Sequence, residues 1–266
     1  MRQIITLRHL SGLLVLQFVL VGQPVLSQDL SEADTSKVES FHLFPPSADP
    51  AEQKHSAAGQ FLRDIWTDQK AIWTTPFRMN RRQYFTIALP LAAATAGLIA
   101  TDSRTATWLP NTPDQVEWSQ RFSNFGGVYT LGFITGGMLI GGKVTGKSHY
   151  SQIGRNSAEA LVNAVITSYA IKGMTLRERP NEGNGEGHFW EGGQSFPSGH
   201  ATHSWAVAVA VARTPKCPKW LAITSYAMAT GISISRYTAH KHFLSDILVG
   251  GVIGGYIGNY VARRPR

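Results

Sequence analysis

Apolar residues in the second two thirds of the chain fall into six runs separated by polar connectors, at 84–101, 124–142, 156–173, 199–212, 220–234 and 243–262. Each run is long enough for a helix, and none shows the strict alternation that a half-buried strand requires. The pattern therefore predicts an all-α fold, a six-helix bundle. Alanine, glycine, valine and threonine fill the runs. The last one carries Gly250, Gly251, Gly254, Gly255 and Gly258, small positions that let helix backbones approach closely. No repeat of fixed period is visible.

The first 83 residues read differently. Residues 1–27 hold Arg2, Arg8, an apolar run from Leu13 to Val21 and a small residue at Ser27, the arrangement of an export signal cut after Ser27. An uncleaved membrane anchor is the alternative. Residues 28–57 carry six acids against two lysines, with Pro45-Pro46 and no apolar periodicity, as in a disordered linker. In 58–83, Phe61, Leu62, Ile65, Trp66, Ile72 and Trp73 share one stripe at helical spacing. That stripe suits either a helix lying on a membrane surface or one packed on its own domain. The helical domain proper is expected over 84–266.

Composition narrows the field. With 43% hydrophobic and 16% charged residues, the chain is too apolar for a disordered protein. Its one cysteine, Cys217, excludes an intrachain disulfide framework and a cysteine-ligated zinc ribbon. A formal net charge of +8 implies an anionic partner: nucleic acid, an acidic membrane surface or a phosphorylated substrate. Export argues against nucleic acid.

The charge also bears on topology. Basic residues gather in alternate connectors, at Arg78, Arg81 and Arg82, at Lys143, Lys147 and Arg155, at Arg213, Lys216 and Lys219, and at Arg263, Arg264 and Arg266. This is the positive-inside pattern of six crossings that start inside. A translocated signal instead puts Gln28 outside, and the mean hydropathy of −0.10 is low for six spans. The reading adopted is an exported, membrane-associated protein of the cell envelope with its active site on the extracytoplasmic side. A soluble periplasmic protein is the alternative.

Three polar clusters punctuate the apolar runs. Lys172 precedes Arg179-Pro180 by seven residues. That spacing puts two cations on one helix face, with the proline setting Arg179 at the helix mouth. Phe196-Pro197-Ser198-Gly199-His200 leads into the fourth run, presenting a hydroxyl and backbone amides at a helix start, which suits an oxyanion. Ser235-Arg236, then His242, then Asp246 form the third cluster. His242 and Asp246 stand four apart, so the carboxylate can hold one imidazole nitrogen and leave the other as a nucleophile.

Together these clusters resemble the tripartite signature of the type 2 phosphatidic acid phosphatase superfamily, which also includes bacterial acid phosphatases and vanadium haloperoxidases. Lys172, Arg179, Pro180, Pro197, Ser198, Gly199, His200, Ser235, Arg236, His242 and Asp246 match every fixed position. The resemblance implies a metal-independent phosphatase without cofactor. His242 would form a phosphohistidine, Asp246 would orient it, and His200 would act as acid and then base. Lys172, Arg179, Ser198, Gly199 and Arg236 would hold the phosphoryl oxygens. A lipid phosphate or diphosphate is the favoured substrate. Other readings are a soluble non-specific acid phosphatase or phosphotransferase, a vanadium haloperoxidase, and a non-catalytic membrane or binding protein. Sequence leaves the oligomeric state open. His203 reads as a packed residue, His240 and Lys241 as connector residues, and Asn181–Gln194 as a flap that sets substrate choice.

Overall fold

The computed structural model describes residues 57–108 and 110–264. The expected export signal and almost all of the expected linker lie outside them. The described residues contain helices and connectors and no strand. The α-helices are α1 (Ala57–Thr74), α2 (Arg81–Gln83), α3 (Leu89–Ile99), α4 (Asp102–Ala106), α5 (Pro113–Ser123), α6 (Val128–Val144), α7 (Ser148–Thr175), α8 (Gly199–Arg213), α9 (Lys219–Thr238) and α10 (Leu244–Arg263). A π-helical turn, Tyr84–Ala88, joins α2 to α3.

The six apolar runs became α3 and α6–α10, but the count of six was too low. The unpredicted α5 is a polar helix whose signals are local: Thr112 accepts from the Gln115 amide and Pro113 starts the first turn. Helix α7 starts eight residues before the predicted run and ends at Thr175, where Leu176 adopts a left-handed cap at φ 44°.

Helix α8 is the axis of the bundle. Every residue from Ala201 to Val211 is buried, with α7, α9 and α10 packed around it. Ala201, Trp205, Ala208 and Val209 meet Tyr237, Leu244 and Ile247 on one side, while Ala206 and Ala210 meet Ile257 and Val261 on another. The glycines of α10 permit this approach. A Cβ at Gly254 would stand 2.1 Å from the Thr202 carbonyl oxygen, and one at Gly250 2.7 Å from that of Ser198, closer than packed atoms tolerate.

Helix α1 packs on its own domain by one side of the stripe and leaves the other side exposed. Ile65, Asp68 and Ile72 are buried, while Leu62, Trp66 and Trp73 face outward. Its inner side is clamped by charge. Arg264 bonds Asp68 at 2.6 Å and Glu159 at 3.2 Å, and Arg155 reaches Asp64 and Glu159.

Candidate functional site

The site lies where α7 and α9 end and α8 and α10 begin. Ser198 is the N-cap of α8, with an extended backbone at φ −66°, ψ 111°, and its hydroxyl caps nothing. That Oγ is buried without a hydrogen-bond partner. The Ser198 amide donates to the Asp246 carbonyl oxygen at 3.0 Å, which fixes the turn to the first turn of α10. A Cβ on Gly199 would lie 3.7 Å from Lys172 Cε, so the lysine stem runs past the start of α8.

Three cations converge here from separate elements. Lys172 projects from the last turn of α7 and donates to the Gln194 carbonyl oxygen at 2.5 Å. Arg236, from the last turn of α9, donates through Nη1 to Ser123 Oγ on α5 at 3.0 Å. Arg179 departs from the expected helix mouth. Because α7 stops at Thr175, it reaches the cluster from the connector, with its amide bonded to Glu182. The Nε atoms of Arg179 and Arg236 are buried without a hydrogen-bond partner, and Arg179 Nε stands 3.9 Å from the Glu182 carboxylate. Two guanidinium N–H groups and the Ser198 hydroxyl thus lack hydrogen-bond acceptors, at a real free-energy cost unless an oxyanion meets them.

His242 is 2% exposed. It precedes α10, so it does not share a helix with Asp246, as the four-residue spacing had predicted. The connector nevertheless sets its Nδ1 3.6 Å from Asp246 Oδ2, an ion-pair distance rather than a hydrogen bond, and 3.5 Å from Ser195 Oγ, and leaves Nε2 unclaimed by either contact. The Asp246 carboxylate also accepts from Ser195 Oγ at 2.5 Å and from the Phe243 amide at 2.9 Å, the latter closing an N-terminal capping arrangement on α10.

These groups feel one another's charge. Burial pushes His200 down to about 3, and Arg236, His242, His203 and Lys172 push it further the same way. Burial also holds His242 near about 3, against the opposing pull of Asp246. Lys172 falls to about 8, first through burial, then through its cationic neighbours Arg179 and Arg236 against the pull of Asp246. The histidines are neutral at pH 7, as a nucleophile must be. Such shifted groups in one cluster mark functional sites more often than structural ones. His203, 4% exposed, packs against Ser168 with a 3.0 Å hydrogen bond, and it lies beside the site.

The connector from 181 to 194 is pinned back onto the end of α7. Glu178 and His188, Trp190 and Thr175, and Ser195 and Arg177 pair through backbone hydrogen bonds.

Sequence reasoning missed residues that support the site. Arg177 is 1% exposed and bonds both Asp246 and Asp102. The Arg177-Glu178-Arg179 triplet was its only local signal. Asp102, 1% exposed on α4, and Ser123 lie far upstream, and nothing in their surroundings marked them.

Among the described residues, no group of three or more His, Cys, Asp and Glu is arranged to hold a metal ion. One helical stretch, Pro113–Val144, is long and apolar enough to cross a membrane by length and composition. No curated protein and no solved structure matches the chain. A family model described as PAP2 superfamily matches residues 155–265.

Proposed function

We propose, from the likeness of residues 155–265 to the PAP2 superfamily, whose members are generally phosphatases, that this chain is a metal-independent phosphatase that hydrolyses phosphate esters at a membrane. The observation that carries this reading is the trio of buried donors without a hydrogen-bond acceptor, Arg179 Nε, Arg236 Nε and Ser198 Oγ, beside the His242–Asp246 pair. Donors fixed before substrate arrives need no reorganisation when charge develops on the phosphoryl oxygens.

In this reading the His242 Nε2 lone pair attacks phosphorus as the P–O bond to the leaving group breaks, giving a phosphohistidine. Asp246 holds the Nδ1 proton and stabilises the positive ring. His200 hands a proton to the departing oxygen and then takes one from the water that hydrolyses the intermediate. The cations that keep His200 neutral are the ones a phosphate dianion offsets, so substrate binding itself favours the protonated, acid form. Lys172, Arg179 and Arg236 supply the positive charge that other phosphatases draw from metal ions.

A lipid phosphate or diphosphate is the favoured substrate class because the fold leaves apolar surface uncovered. Tyr129, Phe133 and Val144 on α6 are 94%, 86% and 81% exposed, and the site end carries exposed Trp108, Trp118, Phe125 and Trp190. Aromatic residues at one level beside an apolar face suit a bilayer interface. Arg213, Lys216, Lys219 and Arg263 lie at the far ends of α8, α9 and α10. Positive charge there orients the site away from the cytoplasm, toward the extracytoplasmic leaflet.

The test is the purified protein, in chelator, offered lipid and soluble phosphate esters with and without orthovanadate. Release of phosphate that vanadate suppresses and His242→Ala abolishes is the expected result. Failure to hydrolyse any of them would overturn the phosphatase reading, and halide oxidation with vanadate would favour the haloperoxidase chemistry.

A further inference from the structure

Behind His242 lies a second layer of charge that the three-cluster motif does not contain. The Arg177 guanidinium donates through Nη1 to Asp246 Oδ1 at 2.7 Å and through Nη2 to Asp102 Oδ2 at 2.9 Å. Its Nε donates to the Gly187 carbonyl oxygen at 3.0 Å, and Nη1 also donates to Ser245 Oγ at 2.7 Å. Ser245 in turn donates its hydroxyl to Asp102. Two rings sandwich the guanidinium, Phe243 with its centroid 4.4 Å away and Phe189 at 4.8 Å. Asp102, Arg177 and Asp246 are each within 1% of complete burial.

We propose that Asp102 and Arg177 are positioning residues for the nucleophile, with Arg177 fixing the Asp246 carboxylate against His242 and Asp102 keeping that carboxylate from being neutralised. This rests on the phosphohistidine reading above. A buried arginine paired with Asp246 alone would cancel the charge that the imidazolium needs as it forms. Asp102 returns one negative charge to the far side of the guanidinium, so the triad Asp102–Arg177–Asp246 carries a net −1 toward His242. Formation of the positive ring then brings the group to neutrality in a region with little water to screen it. Outer residues that orient a catalytic group in this way are worth about 10- to 100-fold in activity.

Arg177 has a second consequence. By holding Gly187, it ties the 181–194 connector to the same carboxylate that orients the nucleophile. Gly187 sits at φ +70°, and a Cβ there would fall 2.3 Å from the Phe243 ring, the residue just after His242. The position of this connector and the alignment of the nucleophile are thereby tied through one side chain. Asp102 comes from a helix upstream of the family match at 155–265, so the upstream segment completes the site rather than merely packing on it.

The experiment compares Asp102→Asn, Arg177→Lys, Arg177→Met and the double variant Asp102→Asn/Arg177→Met with the full-length protein. It reads kcat and KM on a soluble ester, inhibition by phosphate and by orthovanadate, and thermal melting. Vanadate needs the imidazole in line for its five-coordinate form, whereas phosphate needs only the cations. Expected are a kcat loss of about 10- to 100-fold in Asp102→Asn and Arg177→Met, KM within about twofold, and weakened vanadate but unchanged phosphate inhibition. Arg177→Lys should recover part of the loss, and the double variant should lose less than the product of the singles. An Asp102→Asn enzyme with wild-type kcat and vanadate affinity, while His242→Ala is inactive, would overturn this proposal and leave the phosphatase reading standing. Equal weakening of phosphate and vanadate inhibition with a lowered melting temperature would overturn it too, by showing a structural role only. Activity in His242→Ala would instead remove the premise.

Discussion

Three histidines near the site, His200, His203 and His242, are held at about 3, about 4 and about 3, in each case first by burial. In the unfolded chain they titrate near about 6.5. Between those values the unfolded state binds more protons than the folded one, so the stability these residues contribute is full above the unfolded value and declines as the solution is acidified. Asp102 works in the opposite sense, since burial raises its carboxyl. The predicted result is a melting temperature that falls from pH 7 to pH 5. It should fall less in His203→Gln, which removes one of the three groups without touching the catalytic pair. A melting temperature flat across this range would contradict the burial of these rings.

At the scale of elements, the site is precise because α8 and α10 pack backbone to backbone, with Gly250 set against the Ser198 carbonyl oxygen and Gly254 against that of Thr202. Gly254→Val should push these helices apart at a cost of about 1–3 kcal/mol or more and lower kcat along with the melting temperature, because Ser198 and Asp246 are joined across the same interface. Unchanged melting would show that the interface is not close-packed. The glycine spacing that allows this contact was legible in the sequence, as were five of the six apolar helices to within a few residues at most ends. What escaped was of another kind. Helix α5 has a polar face and a short length, so its capping residues carried more information than its hydrophobicity. The left-handed Leu176 ends α7 four residues before Pro180 would have required, which moves Arg179 from helix to connector. Asp102, Ser123 and Arg177 reach the site only through partners 69 to 143 residues away, Arg177 at Asp246 and Asp102, Asp102 also at Ser245, and Ser123 at Arg236, and no local pattern encodes such a pairing. Where chemistry depended on a short string, as in Pro197-Ser198-Gly199-His200, the string was readable. Where it depended on tertiary charge balance, it was not.

At the scale of the molecule, a neutral imidazole pair, His242 buried and His200 half-buried, three converging cations and a second carboxylate layer sit at one end of the bundle, and basic residues sit at the other. Apolar surface is exposed on α1 and α6, with Trp66 and Phe133 76% and 86% exposed. Under the proposed function, this arrangement would bring a water-facing phosphate and an apolar substrate body to the same place. The account stands on a covalent bond from phosphorus to His242. Its most direct test is rapid quenching into base of the protein turning over a phosphate ester that carries radiolabelled phosphorus and a good leaving group. Label should appear on His242, accumulate in His200→Ala because hydrolysis of the intermediate is slowed, and vanish in His242→Ala. Label on another residue, or sustained turnover by His242→Ala with no labelled protein at all, would contradict the account.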